Sequence, residues 1–599
     1  MKSRKFFAAV LALLMLAPAV LSGCKQVDNE SSASTNTIKQ NVTLNMYVMT
    51  NEETDEEQAK AVQMAINEIT LPEYKTMVKI NYVTADEYWD TIDAAEIAAN
   101  EYLEQKKAEA EAKKKAQKEA NKAGNTAPKV DDGKVTEEEI EIVDKEFNDL
   151  IDKVFDENST DITLEHDQLD IFFVDSPEKY FELIADDRIV SIDNYVTLEN
   201  KILNSYIHPN FFVGAKAGKG LTYGIPVNKP IGEYEYFVFN KDLLAKYGYD
   251  AEALNTFEAL GEYLQVIRSR EPGIVPLTRA ASIYGFDFYG DEGSALGTQK
   301  FDEDSSFPGF IVSLYEVNAF YKHFETIRSY KLAGYIPANY NGAPFAVDVR
   351  RGGYADMAAL EEQGYECVVY KAPRATSENI LDSVFVVSKA SENPSRATEI
   401  IRHFNTNPEL ANLLQYGILG THYYVDEKDE VTHVTIDGVY SMNNEQTGNL
   451  YIKYSEMGES HLIDSYKAQN LDSVPHAFLG FNPERLDIED KLMIEKANAI
   501  TKPYYPGLMA GLYDINSIKT EIKNKLAAID ITEELAAYYA ANPEEFDETK
   551  EPEAYVFADA VSEIDDLYSR FSDMMNMYHP ENYRTIEEES YLIDEEPVA

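Results

Sequence analysis

The sequence predicts an α/β chain of two lobes, with a helical hairpin inserted in the first lobe and an acidic helical extension at the C-terminal end. Three observations carry this. Strand-like and helical segments alternate from residue 42 onward, the order that builds a parallel sheet flanked by helices. The run Leu169-Asp170-Ile171-Phe172-Phe173-Val174-Asp175 is almost continuously apolar, as a strand covered on both faces is. The length of 599 residues, 44% of them hydrophobic, is long for one domain, so two lobes are the default expectation.

Taken in order, the chain opens with Lys2, Arg4 and Lys5, an uncharged run from Phe6 to Val20, and then Leu21-Ser22-Gly23-Cys24. A basic start followed by a short apolar run is an export signal, and that run is short of the ~20 residues a spanning helix needs. The four closing residues resemble a lipobox. That resemblance implies cleavage before Cys24 (signal 1–23) and a lipid on Cys24, placing the chain on the outer face of the cell membrane. No second apolar run of about 18 residues follows, so lipid is the expected membrane attachment. Residues 24–40 are rich in Ser, Thr and Asn without periodicity, as in a flexible tether.

Lobe one is expected over 41–235. It begins with a strand at Val42 to Val48, a helix from about Glu56 to Ile69 and a second strand at Met77 to Val83. Residues 93–157 interrupt it: an Ala/Glu/Lys-rich helix to about Lys122, turn residues from Gly124 to Gly133, and a second helix. That helix opens with the capping-box form Thr136-x-x-Glu139 and carries Ile140, Val143, Phe147, Leu150, Ile151 and Val154 at helical spacing. The first hairpin helix has only a weak apolar face beyond Leu103, so its distal half reads as solvated.

Composition removes several functions. Fifty-four basic against 106 acidic residues leave a net charge of −52, which repels phosphate backbones and excludes nucleic acid as a partner. No His-Glu-x-x-His, Gly-x-Ser-x-Gly or phosphate-loop pattern occurs, so no catalytic role, cofactor or metal is expected. Asp302-Glu303-Asp304 lacks calcium-loop spacing. Cys367, in the apolar segment Cys367-Val368-Val369-Tyr370, reads as a small buried hydrophobe.

The segment Leu221-Thr222-Tyr223-Gly224-Ile225-Pro226-Val227-Asn228, followed by Tyr236-Phe237-Val238-Phe239-Asn240-Lys241-Asp242-Leu243-Leu244 and ending at Gly248, reads as loop, strand and glycine-terminated helix. Here the chain resembles the extracellular solute-binding proteins that serve carbohydrate importers, whose Tyr-x-x-Pro turn enters the hinge and whose Tyr-Asn-Lys-Asp-Leu-Leu opens lobe two; Phe239 stands for that Tyr. Further pieces follow in the family's order. Asp170 to Ser176 resembles its third strand and ligand-side loop, Asp186 to Tyr195 the stretch after it, and Asn255-Thr256-Phe257-Glu258 its Thr-Trp-Glu helix start. Ser383 to Ser388 resembles the return strand, and Pro394 to Asn405 the helix after it. Leu413-Leu414-Gln415-Tyr416-Gly417-Ile418-Leu419-Gly420-Thr421-His422-Tyr423 is similar to a motif of a large-lobed lipoprotein branch, with Leu419 where Glu is usual.

The resemblance implies a two-lobed periplasmic-binding-protein-like fold of type II, with lobe two at 236–340, a return to lobe one at 341–383, lobe two and C-terminal helices at 384–531, and the acidic extension at 532–599. It implies capture of an extracellular solute, best an oligosaccharide, by lobe closure, and delivery to ABC permease subunits by a monomer that does no chemistry. Sugar recognition needs aromatic faces and planar polar groups on loops after strands. The candidates are Tyr47, Asn51, Glu52 and Asp175 on lobe one, Tyr223 and Asn228 near the hinge, and Phe286, Tyr289, Arg350 and Arg351 on lobe two. Trp89, the single tryptophan, offers a stacking platform but at the start of a helix reads at least equally as a core or arm-root residue, and His422 reads as a packing residue. A receptor for peptides or another charged solute is the alternative, favoured by the two arginines; a surface glycosidase or an adhesion protein fits less of the pattern.

Overall fold

The computed structural model describes residues 41–577, except 51–53, 123–161, 163, 165, 194–202, 204–205, 218–219, 300–309, 429–430, 437–439, 441, 455–462, 482–485 and 544–555. Cys24 and the tether, Asn51, Glu52, the second hairpin helix and the end of the acidic extension lie outside these residues.

Val42–Thr50 alternates around an apolar centre and pairs in parallel with Thr76–Thr84, from Val42 opposite Thr76 to Thr50 opposite Thr84. The helix Glu56–Tyr74 connects them. Asp55 caps its start by accepting from the Gln58 N–H, and Lys75 ends it in the left-handed region. Ile171–Val174, buried at every position, lies on the other side of the first strand. Val384–Val387 pairs antiparallel with it, and Gly224–Pro226 closes the five-stranded sheet. The buried Asp170 pins this sheet at the start of the third strand. Its carboxylate accepts from the Asn45 N–H at 2.8 Å, from Gln168 at 2.9 Å and from the Ser391 hydroxyl.

The helix expected to open the insertion runs Tyr88–Lys122. Its root is held by Arg188, which donates to Glu96 at 2.7 Å and Asp93 at 2.5 Å. Trp89 meets Tyr88 edge-on at 5.4 Å and lies under the Lys179 ammonium at 4.8 Å, which makes it an arm-root residue.

Lobe two is built on a four-stranded sheet in the order Tyr365–Lys371, Tyr234–Asn240, Phe345–Gly352, Val275–Leu277. The helix Lys241–Tyr247 starts at Asn240, whose side chain accepts from the Leu243 N–H, and stops at Gly248, whose φ of 70° a side chain would strain. This sheet moves two expected boundaries. Residues 345–371, expected to return to lobe one, pair antiparallel with Tyr234–Asn240 in lobe two. The return is made by Val384–Val387, and the helices Pro394–Thr406 and Pro408–Tyr416 stay on lobe one, where Arg396 donates to Lys75 and Thr76. Apolar strands of either lobe look alike in sequence, and only pairing distinguishes them.

The helices Ile488–Thr501 and Ile515–Leu526 belong to lobe two, and Thr532–Ala541 and Phe557–Met577 follow. Phe557–Met577 packs on the strand Ile311–Ser313, where Asp565 accepts from the Ile311 N–H at 2.6 Å. Among the described residues no helix is long and apolar enough to cross a membrane, and no group of His, Cys, Asp and Glu is arranged to hold a metal ion.

Candidate functional site

Lobe two carries a cavity of about 720 Å³ where its sheet meets the segments that cross between the lobes. One wall is the run Ile283 to Phe288. Gly285 has φ 81°, a conformation glycine reaches without strain, and this turn separates the rings of Tyr284 and Phe286. Tyr284 is 51% exposed and backed by Tyr370 at 5.7 Å. Half-buried Phe286 lies edge-on to Phe320 at 5.4 Å. An exposed aromatic face on a rigid backing is the feature that stacks on the C–H surface of a sugar.

The opposite wall is polar. Arg374 pairs with Asp287, whose Oδ2 also accepts from the Ala477 N–H at 3.0 Å. Arg374 and His476 come together because Arg374–Ala375 pairs in parallel with Val474–Pro475. Thr376 and Asn379 form a reciprocal capping box that fixes the turn after Arg374, and Asn379 donates to the Arg374 carbonyl at 2.7 Å. Arg351 is 59% exposed, with Glu292 at 3.6 Å and Glu235 at 3.8 Å, too long for hydrogen bonds. Its guanidinium is therefore loosely held and able to meet a solute. Glu235 is buried and accepts from the N–H of Ser282 at 2.8 Å and from its hydroxyl. Lys371 donates to Ser282 and to the Ile283 carbonyl, and burial pushes its ammonium down to about 8. With Glu233, Glu235, Asp287 and Glu292 against Arg351, Lys371 and Arg374, the lining is mixed in sign and suits a solute rich in hydroxyls.

The other expected residues fall elsewhere. Arg350 lines an adjoining cavity of about 540 Å³ that shares Arg351 with the first. Tyr289 turns into the core against Phe478 at 5.1 Å and Phe481 at 5.9 Å. Asn228 is fully buried in the hinge, donating to the Tyr206 carbonyl at 2.6 Å and to Asn449 at 3.2 Å. Tyr47 is half-buried within its strand, where Asn45 donates to its hydroxyl at 3.4 Å. Tyr223 is partly buried, and its N–H donates to the Tyr180 hydroxyl at 3.1 Å. Asp175 stands exposed at the carboxyl end of the third strand, the sheet edge where α/β folds bind ligands. His422 is buried, accepts from the Ile418 N–H at 2.8 Å and meets Gln58 at 2.7 Å, a packing arrangement.

Sequence reasoning missed Glu235, Lys371, Arg374 and His476. The capping-box pattern after Arg374 was readable, but its meeting with His476 depends on a crossover between distant segments. A third cavity, about 570 Å³, lies between Ile311–Ser313 and Phe557–Met577. Its lining is mostly aliphatic, and its Lys523 and Glu316 pair with each other at 3.3 Å, so it lacks the convergent polar groups that orient a solute.

No protein-family profile matches the chain. A protein of Streptococcus pneumoniae serotype 4 named carbohydrate ABC transporter substrate-binding protein is 27% identical over 332 residues, which are 51% of this chain and 67% of that one. Among solved structures, the N-glycan transport solute binding protein (NgtS) of Streptococcus pneumoniae superposes with a TM-score of 0.51 at 19% identity, covering 88% of this chain and 98% of that chain. The shared architecture is the two-lobed α/β fold of solute-binding proteins.

Proposed function

We propose that the chain captures an extracellular oligosaccharide between its lobes and hands it to the permease of an ABC importer, as a monomer and without chemistry of its own. The observation that carries this reading is the lobe-two cavity, where the exposed face of Tyr284 stands with Phe286 beside the guanidinium groups of Arg351 and Arg374. The name of the pneumococcal relative supports a carbohydrate. Asp175 follows a strand of lobe one, and closure about the hinge would bring that edge over the cavity; a ligand touching both lobes then stabilises the closed state. Cys24, in this reading, carries the lipid that holds the chain at the outer membrane face, and Cys24→Ser would release it into the medium.

A thermal-melting screen against oligosaccharides, short peptides and charged metabolites tests the reading. A ligand specific to the folded state stabilises it by about 2.7 kcal/mol at 100 times its dissociation constant. A shift with an oligosaccharide class is the expected result; shifts confined to peptides or anions would replace the saccharide with a charged solute.

A further inference from the structure

We infer that the cavity of about 540 Å³ beside the saccharide site takes an oxyanion carried on the bound glycan, the carboxylate of an acidic sugar or a sulfate ester. The inference rests on the saccharide reading above and adds the chemical class of the glycan.

The cavity is organised around Asp348. Its carboxylate is buried and spent on neighbours: it accepts from the Thr278 hydroxyl, from the Val349 N–H at 2.9 Å and from Arg350 Nε at 2.8 Å, with Arg279 Nε at 3.7 Å. One hidden carboxylate thus gathers two guanidinium groups, and Arg351 supplies a third from the shared wall. The side chains of Arg279, Arg350 and Arg351 are 63%, 40% and 59% exposed, whereas those of Asp348 and Glu235 are 4% and 7% exposed. A group entering from solvent therefore meets three guanidinium groups and one open carboxylate, Glu292.

Guanidinium groups only donate, and their fork matches a carboxylate or sulfate. A neutral sugar hydroxyl array also needs acceptors, and two of the three lining carboxylates, Asp348 and Glu235, are turned inward, which leaves Glu292 as the open one against three guanidinium groups. The grouping is unexpected on a chain of net charge −52, where dispersed acidic surface is the rule. Because Glu235, Ser282, Glu292 and Arg351 line both cavities, a saccharide in the larger one can place a substituent in the smaller.

A glycan array of matched pairs, each a neutral glycan and its forms bearing sialic acid, uronic acid or sulfate, read at low and high NaCl, tests this. The acidic member of a pair should bind about tenfold more tightly at low salt, and the advantage should shrink as salt screens it. Which acidic form gains distinguishes carboxylate from sulfate. Arg279→Gln, at a side chain 63% exposed and paired with Asp348 at 3.7 Å, should bring the acidic-to-neutral ratio toward one, with a melting curve as the folding control. Equal binding within pairs, or a ratio that Arg279→Gln leaves intact, overturns the inference while leaving the saccharide reading standing. An array with no bound glycan overturns both.

Discussion

At the residue scale, the cavity makes separable demands on its side chains. Tyr284 is 51% exposed and backed by Tyr370, so Tyr284→Ala should leave the melting temperature nearly unchanged. It should weaken oligosaccharide binding by about tenfold, near 1.4 kcal/mol, because the stacking face is gone. Arg351→Ala should act similarly, and calorimetric titration beside a melting curve checks both. His323 concerns stability instead. It is buried, its Nε2 meets the Ala281 carbonyl at 2.9 Å, and burial pushes its imidazole down to about 4. The folded state holds it neutral while the unfolded chain takes up a proton below about 6.5, so this contribution is present at pH 7 and lost as pH falls from about 6.5 through 4, by up to about 3 kcal/mol. Urea titrations at pH 7 and pH 5 should show a smaller acid penalty in His323→Gln than in the native chain; equal penalties would contradict the assignment. Cys367 is half-buried, and burial pushes its thiol up to about 11, so slow reaction with thiol reagents is expected at neutral pH.

Elements were legible where local chemistry decides them. Asn240 before an apolar helix and Gly248 after it mark both ends of Lys241–Tyr247, and the continuous apolar run marks Ile171–Val174 as a covered strand. Partnership was not legible: the apolar start of Phe345–Gly352 would fit a strand of either lobe, and its place follows from pairing with Tyr234–Asn240. Of the candidate site, Phe286 and Arg351 were legible because an aromatic run and a paired-arginine turn are local signals, whereas Arg374 and His476 converge only after two crossovers. The C-terminal helix Phe557–Met577 buries Tyr568 against Phe478 at 5.3 Å, and the Tyr568 hydroxyl donates to the Ala477 carbonyl at 3.2 Å. The Ala477 N–H in turn holds Asp287 in the cavity wall. Tyr568→Ala should therefore cost about 3–5 kcal/mol of stability by analogy with other large-to-small core changes, read by urea unfolding. A cost below 1 kcal/mol would mean that the extension is not part of the fold.

At the scale of the whole molecule, the hinge is fastened by polar groups around the buried Lys229 and Asn470. Lys229, on the first crossing, donates to Asp382 at 2.7 Å and to Glu445 at 2.9 Å, and Asn470 holds the same segment through the Lys229 carbonyl at 2.9 Å and the Ile231 N–H at 2.8 Å. Three distant stretches meet at one ammonium group, an arrangement that no local pattern announces. Closure on a ligand should leave this cluster intact while the lobes approach, so small-angle scattering should show a smaller radius of gyration with saturating oligosaccharide. The most direct test of solute capture is calorimetric titration of the native chain and Arg351→Ala with the oligosaccharide that gives the largest melting shift. Saturable one-site binding, weakened about tenfold in the variant, is the predicted result. Equal affinity in both proteins, or heat only from peptides, would contradict it.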